Sequence, residues 1–265
     1  MERTIQKTVA VSPESWVTID VYGDADAPGL VMVPGVMSDA HTWRHVAREI
    51  HAWPSVTVVN RRGRVPSGPL TRAYTLQTEI ADLVAVLNEV QGAEALFGWS
   101  YGGLIALMAA GEHPVRQVIA YEPVIRPFAR DALPALAVAA DDQDWDRSVE
   151  IVNTDISGFR NEHVEALRAD RQGWSVLRRL SEPLHAELAA LNASPAPEKL
   201  ALRAERTDLV IGEANIGSSP YGTAFESIRR RLDQPCTWVL PGQGHLAHIH
   251  APGELGKLID SLAGC

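Results

Sequence analysis

Residues 96–103 place a serine between two glycines, in the order Gly98-Trp99-Ser100-Tyr101-Gly102. An apolar run (93–97) precedes this pattern and a helix-forming run (104–110) follows it. A strand that turns directly into a helix can hold one residue at a strained apex, because the glycines lack the Cβ atoms that would collide there. The context predicts that Ser100 is a nucleophile, although a plain turn of small residues is the simpler alternative.

A serine hydroxyl is a weak nucleophile until a base removes its proton. His245 is the candidate base, because it lies in a loop (241–245) that leaves the last predicted strand. His248 and His250 follow closely and would complete an H-x-x-H-x-H pattern. Since no acidic or cysteine partner lies nearby in sequence, we expect a loop base and no metal site.

Attack on a carbonyl places negative charge on its oxygen, which preorganised N–H groups must meet. Tyr101 begins the predicted helix, so its N–H is free to act as one donor. The second donor is expected just beyond the first parallel strand, in Pro34-Gly35-Val36-Met37. Within that segment Val36 is the better candidate.

A carboxylate should orient the histidine. An acid often follows the strand before the last, but Asn215 occupies that place here and Glu213 lies close to it. Glu122 ends another apolar run, directly after the predicted strand that follows the nucleophile helix. A carboxylate at the edge of the sheet needs a partner, and His245 can provide one. We therefore prefer Glu122 as the acid and keep Glu213 as the alternative.

Short continuous apolar runs alternate with helical patterns along most of the chain, after an N-terminal hairpin predicted over residues 4–22. This alternation predicts an α/β fold with a mostly parallel central sheet flanked by helices. The predicted strands contain Leu30-Val31-Met32-Val33, Val56-Thr57-Val58-Val59, Ala95-Leu96-Phe97, Val118-Ile119-Ala120-Tyr121, Leu209-Val210-Ile211 and Thr237-Trp238-Val239-Leu240. The predicted helices are His41–His51, Leu76–Val90, Leu104–Glu112 and Glu254–Leu262.

The alternation stops between residues 126 and 195, where helical runs occur without a clear strand. The runs Trp145–Val152, Asn161–Ala169 and Trp174–Leu191 predict an inserted helical cap, or lid. The remaining residues, 1–125 and 196–265, would form the core. A lid over the site would exclude water and set specificity. The expected pocket residues are Gly35, Met37, Trp99, Phe128, Leu133, Trp174 and Tyr221.

The composition excludes several classes of protein. The chain has 265 residues and a net charge of −9, which argues against a nucleic-acid partner. No signal peptide or membrane span is apparent, and two cysteines do not form a disulfide framework. We expect a cytoplasmic monomer or homodimer with a small-molecule substrate. The arginines at 61, 62 and 64 are interpreted as a solvated or locally paired structural loop rather than an anion site.

The order nucleophile, acid, base resembles that of the α/β-hydrolase superfamily, in its serine-nucleophile branch with a helical cap. The matching segments are Val33–Trp43, Asn60–Gly68, Gly98–Gly102, Tyr121–Pro123 and Pro241–His245. Asn60 and Val65 stand where the family more often has Asp and Gly. The placement of the candidate acid Glu122 is also similar to that of the glutamate in the zearalenone lactonases. Branches that use Asp in place of Ser100, the haloalkane dehalogenases and soluble epoxide hydrolases, are disfavoured.

The resemblance implies a cofactor-free hydrolase that cleaves an ester or lactone of a mostly apolar small molecule. Three alternatives remain open at this point. They are a cofactor-independent dioxygenase on the same fold, a carbon–carbon bond hydrolase and a non-catalytic ligand-binding protein.

Overall fold

The computed structural model describes residues 4–90 and 92–263. In this part of the chain, eight strands form one sheet in the order β1-β2-β4-β3-β5-β6-β7-β8. Strands β1 and β2 form the predicted antiparallel hairpin, β2 also pairs antiparallel with β4, and the pairs from β4 through β8 are parallel. The strands are β1 (Ile5–Ser12), β2 (Ser15–Gly23), β3 (Gly29–Val33), β4 (Ser55–Asn60), β5 (Ala93–Trp99), β6 (Val115–Tyr121), β7 (Ala204–Gly212) and β8 (Cys236–Leu240).

Helices flank the sheet, which confirms the predicted α/β fold. The helices are α1 (Arg44–Arg48), α2 (Leu76–Glu89), α3 (Tyr101–Glu112), α4 (Leu133–Asp141), α5 (Trp145–Ile151), α6 (Asn161–Ala169), α7 (Arg171–Ser181), α8 (Leu184–Ala193), α9 (Tyr221–Arg229), α10 (Ala247–His250) and α11 (Pro252–Leu262).

Strand β3 is buried along its whole length and β5 from Ala95 to Trp99, because both strands are covered on both faces. Side chains alternate between the two faces along each strand. Val31 and Leu96 therefore join one core cluster, with Ile80 of α2 and Leu104 of α3. Their neighbours Met32 and Phe97 join a second cluster on the opposite face, with Trp43 and Ile259. This double burial fixes the positions of the carboxyl ends of β3, β5 and β6.

Two predicted helices differ from the observed ones. The helix predicted over His41–His51 is reduced to α1, because the N–H groups of His51 and Ala52 bind the carboxylate of Asp260 in α11 (2.8–3.0 Å). The helix predicted over Trp174–Leu191 is divided into α7 and α8 at Pro183. Proline lacks the N–H that a continuous helix would need.

Helices α4 to α8 lie between β6 and β7, in the segment interpreted from sequence as a cap. Helix α5 continues into a π-helical turn, Val152–Ile156, which the sequence pattern did not indicate. Helices α4 and α9 were also not predicted. No helix in the described residues is long and apolar enough to cross a membrane. Cys236 is a free, exposed thiol, and Cys265 lies outside the described residues.

Candidate active site

Ser100 lies at the tight turn between β5 and α3. Its backbone is in an unusual conformation (φ 56°, ψ −121°), and its N–H donates to the Tyr121 carbonyl on β6 (3.0 Å). A Cβ at Gly98 would overlap the backbone of Gly102, and one at Gly102 would overlap carbonyl oxygens at the end of β3. The two glycines are therefore required by the close approach of strand and helix.

His245 and Glu122 form a buried pair. The imidazole Nδ1 lies 2.7 Å from Glu122 Oε2, and the glutamate side chain is fully buried. Glu122 directly follows β6, the neighbour of the strand that carries Ser100. Both Ser100 and His245 line the same cavity. A base with its Nδ1 held by a carboxylate has its Nε2 available for proton transfer.

Three further hydrogen bonds hold the Glu122 carboxylate. The Gly212 N–H donates to Oε1 (2.9 Å), and the Asn215 amide donates to both oxygens (2.9 Å each). Asn215, which stands where an aspartate was expected, thus donates hydrogen bonds to the glutamate.

Glu213, the alternative acid, does not bind the histidine. Its carboxylate accepts a hydrogen bond from the N–H of Gly242 (2.7 Å), and the residue is exposed. The structure therefore joins His245 to Glu122 and places Glu213 directly after β7, where it binds the loop that precedes the histidine.

Aromatic side chains fix the position of His245. The Trp99 indole donates to the His245 carbonyl (2.8 Å), and Tyr221 stacks on the imidazole with ring centroids 3.5 Å apart. The Tyr221 hydroxyl lies 2.9 Å from the Ser157 hydroxyl, which belongs to the inserted segment. The face of an aromatic ring attracts a cation, so Tyr221 can stabilise a protonated His245.

The candidate oxyanion donors lie on either side of Ser100. Gly35 approaches so closely that a Cβ there would lie 2.9 Å from the Ser100 Cβ, which brings the following residue, Val36, beside the serine. The N–H of Val36 and the N–H of Tyr101 donate to no acceptor within the described residues. Both residues line the cavity.

The cavity has a volume of about 480 Å³ and a mostly apolar wall. Of the expected pocket residues, Met37, Trp99, Phe128 and Tyr221 line it. The inserted segment contributes side chains that sequence reasoning missed, among them Val152, Ile156, Leu177, Leu184 and Leu188. The only sequence signal for them is apolar residues at helical spacing, which ordinary core residues share.

Three expected pocket residues do not line the cavity. Trp174 packs against Val149 and Val164, and its indole donates to Asp146 (2.5 Å). Leu133 is half-buried against the main core at the start of α4. Gly35 has no side chain and lies behind Ser100. The expectations for Leu133 and Trp174 were wrong because neither hydrophobicity nor size indicates which face of a helix meets the cavity.

The histidines near the C-terminus do not converge on one point. His245 binds Glu122, whereas the His248 ring is stacked on Trp43 with centroids 4.7 Å apart. Within residues 4–90 and 92–263, no group of three or more metal-ligating side chains is placed to hold an ion.

His248 is buried in the cavity wall and its Nδ1 has no hydrogen-bond partner in the described residues. Burial, with smaller contributions from His245 and His250, lowers the pKa of His248 from 6.5 to about 3. The unfolded chain takes up a proton here as the pH falls below 6.5, whereas the folded chain does not until about pH 3. Folding stability is therefore lost with decreasing pH across this window.

We expect this residue to lower the free energy of unfolding by on the order of 2 kcal/mol between pH 7.5 and pH 5. His248→Phe keeps an aromatic ring against Trp43 and should lack this part of the acid sensitivity. Urea unfolding at both pH values measures the difference. His51→Gln, at an exposed position, is the control and should behave as the parent protein. Equal acid sensitivity in His248→Phe and the parent would contradict the prediction.

A parallel sheet with a serine at a strand–helix elbow, and a histidine–carboxylate pair at the same edge, defines the class of α/β-hydrolase-fold proteins. The sequence profile of the Alpha/beta hydrolase family matches residues 30–257, and the chain belongs to that family.

Known proteins similar to this chain carry different activities. A 2-succinyl-6-hydroxy-2,4-cyclohexadiene-1-carboxylate synthase from Escherichia coli O1:K1 is 25% identical over 261 residues, covering 91% of this chain and 96% of the relative. An alpha/beta hydrolase structure from Sphaerobacter thermophilus has a TM-score of 0.77 at 21% identity, covering 96% of this chain and 99% of the other. An enol-lactonase from Burkholderia xenovorans has a TM-score of 0.75 at 15% identity, covering 96% and 98%. At these identities the structures establish the shared fold.

Proposed function

We propose that the protein is a serine hydrolase that cleaves a carboxylic ester or lactone of a mostly apolar small molecule. Ser100 Oγ attacks the carbonyl carbon while His245 Nε2 takes the hydroxyl proton, and the N–H groups of Val36 and Tyr101 bind the developing oxyanion. The intermediate then expels the alcohol oxygen, which takes the proton from His245, and leaves an acyl group on Ser100. Water, activated by His245, releases the acid.

The hydrogen bond between His245 Nδ1 and Glu122 (2.7 Å) is the observation that carries this proposal. It gives the imidazole a fixed tautomer and a counter-charge at the edge of the sheet where Ser100 stands. A protein that only bound ligands would not require a buried glutamate held by three additional hydrogen bonds.

The cavity wall supports an apolar substrate. A volume of about 480 Å³ suits a drug-sized molecule, and the aliphatic and aromatic side chains of the inserted segment provide few polar contacts. A lactone fits the same chemistry, since its acid and alcohol remain one molecule after ring opening. The proposed place of the acid, like that of the zearalenone lactonases, agrees with such a substrate.

The buried arginines that follow β4 do not offer a site for a substrate carboxylate, a group that the name of the Escherichia coli relatives contains. Arg62 is paired with Asp82 (2.6 Å), and Arg64 is paired with Glu187 (2.7 Å). Arg61 is paired with both Glu79 and Glu187 (2.6 and 2.7 Å). With these charges already neutralised, the three guanidinium groups are not available to an anionic substrate.

A series of p-nitrophenyl esters from acetate to octanoate tests the proposal. Each added methylene buried in the cavity contributes about 0.8 kcal/mol, so we expect kcat/KM to rise about fourfold per methylene until the cavity is filled. A set of small and macrocyclic lactones should be assayed in parallel. No turnover of any ester or lactone, together with no labelling by a fluorophosphonate, would favour a ligand-binding protein instead. Oxygen uptake with an aromatic substrate would favour the dioxygenase.

A further inference from the structure

Arg61, the first residue after β4, extends beneath the loop that carries the candidate oxyanion donor. Its Nε donates to the Pro34 carbonyl (2.9 Å), and its Nη2 donates to the Gly35 carbonyl (2.8 Å). We propose that Arg61 is a positioning residue, which holds the Val36 N–H in the direction needed to bind the oxyanion. This inference rests on the proposed function and adds a residue that does not touch the substrate.

The planarity of the peptide bond makes this contact informative. The Gly35 carbonyl and the Val36 N–H belong to one peptide unit, in which the C=O and N–H of a trans bond point in opposite directions. A guanidinium on the carbonyl therefore fixes where the N–H points. A charged donor also polarises the peptide unit, which strengthens the N–H as a donor at its other end.

The second donor lies against the same guanidinium. The Arg61 Cζ is 5.2 Å from the centre of the Tyr101 ring, on the residue whose N–H is the other candidate oxyanion donor. One buried cation thus contacts the segments on both sides of Ser100.

Arg61 itself is held by two carboxylates from different parts of the fold. Its Nη1 donates to Glu79 of α2 (2.6 Å) and lies 2.7 Å from Glu187 of α8, in the inserted segment. Burial alone would raise the pKa of Glu187, but Arg61 and Arg64 outweigh this effect and hold that pKa below its usual range. The carboxylate therefore remains charged and keeps the guanidinium in place.

Arg62 provides an internal control, because it is a similar buried cation with a different neighbour. It forms a bidentate ion pair with Asp82 of α2 (2.6 Å for each bond). Arg62 and Asp82 do not bind the Pro34–Gly35 carbonyls or α8 in the described residues. Both arginines lie on the same loop and both carboxylates lie on α2. Of the two arginines, only Arg61 binds the Pro34 and Gly35 carbonyls.

The test compares Arg61→Met/Glu79→Gln with Arg62→Met/Asp82→Asn. Each double variant removes one buried cation and one buried anion, so the net charge is unchanged, and Arg64 still neutralises Glu187 in both. With p-nitrophenyl butyrate, we expect the Arg61 variant to lose about 10- to 100-fold in kcat, with KM changed less than threefold, because a misdirected donor weakens mainly the transition state. The Arg62 variant should keep kcat within about threefold, even when the two lose similar thermal stability.

A boronic acid that forms a tetrahedral adduct with Ser100 gives a second readout. Its inhibition constant should rise in parallel with the loss of kcat in the Arg61 variant only. Equal losses of kcat in both variants, or an unchanged inhibition constant in the Arg61 variant, would overturn the inference. Should the Arg61 double variant fail to fold, Arg61→Lys replaces it, with a smaller loss in the same direction, because one ammonium cannot bridge two carbonyls as a guanidinium does.

Turnover by the parent protein distinguishes failure of the proposed function from failure of this inference. Absence of Ser100-dependent turnover in the parent would overturn the proposed function and this inference with it. Normal turnover in the parent with an unaffected Arg61 variant would overturn the inference alone.

Discussion

Ser100→Ala is expected to lower kcat for p-nitrophenyl ester hydrolysis by about 10⁴-fold or more. The variant loses the nucleophilic oxygen but keeps the Cβ, so the unusual backbone at the elbow (φ 56°) is no more strained than in the parent. The residue caps no helix N–H with its side chain, and we therefore expect the fold to be unchanged. Steady-state kinetics and a thermal unfolding curve measure the two parts of this prediction.

Ser157→Ala is the matched control. Ser157 lines the same cavity but belongs to the inserted segment, where its hydroxyl contacts the Tyr221 hydroxyl (2.9 Å). We expect this variant to keep kcat within about tenfold of the parent. It should also react with a fluorophosphonate, whereas Ser100→Ala should not. Parent-like turnover or labelling in Ser100→Ala would contradict the role of Ser100 as nucleophile.

Glu122→Gln is expected to lower kcat by about 10³-fold or more. The amide is nearly the same size, but it removes the negative charge that stabilises protonated His245. It can also present an N–H to Nδ1, which favours the wrong tautomer of the imidazole. The Gly212 N–H and the Asn215 amide would still find an oxygen acceptor, which limits the loss of stability. We therefore expect a large loss of kcat with only a small decrease in the melting temperature.

Glu213→Gln makes the same chemical change one loop away, at the exposed carboxylate that binds the Gly242 N–H. We expect kcat within about threefold of the parent, because this residue does not contact His245. Comparable losses of kcat in the two variants would contradict the assignment of Glu122 as the acid. A large loss in Glu213→Gln alone would assign that role to Glu213.

The sequence was sufficient to predict the sheet and the position of Ser100 because both depend on local patterns. Continuous apolar runs such as Leu30–Val33 identify strands buried on both faces. The two glycines around Ser100 satisfy a close approach that few other residues permit. His245 could be inferred from its loop, since the carboxyl ends of parallel strands meet at one edge.

The contacts that hold Glu122 and shape the cavity could not be predicted, because they join segments that are distant in the sequence. The Asn215 amide donates to the carboxylate of Glu122, which is far away in the sequence. The π-helical turn after α5 and the division at Pro183 decide which side chains face the cavity, and the apolar pattern did not indicate them. Trp174 illustrates the same limit, since its indole is directed to Asp146 and away from the cavity.

The place of Glu122 directly after β6 has a consequence for how this protein could be altered. Both the proposed nucleophile and the proposed acid precede residue 126, so they are encoded before the inserted helices begin. Only the proposed base, His245, follows the inserted helices in the sequence. We therefore expect the inserted helices to be replaceable, and a replacement should alter substrate choice without changing the spacing between Ser100 and Glu122. Any replacement must still supply a carboxylate where Glu187 meets Arg61 and Arg64.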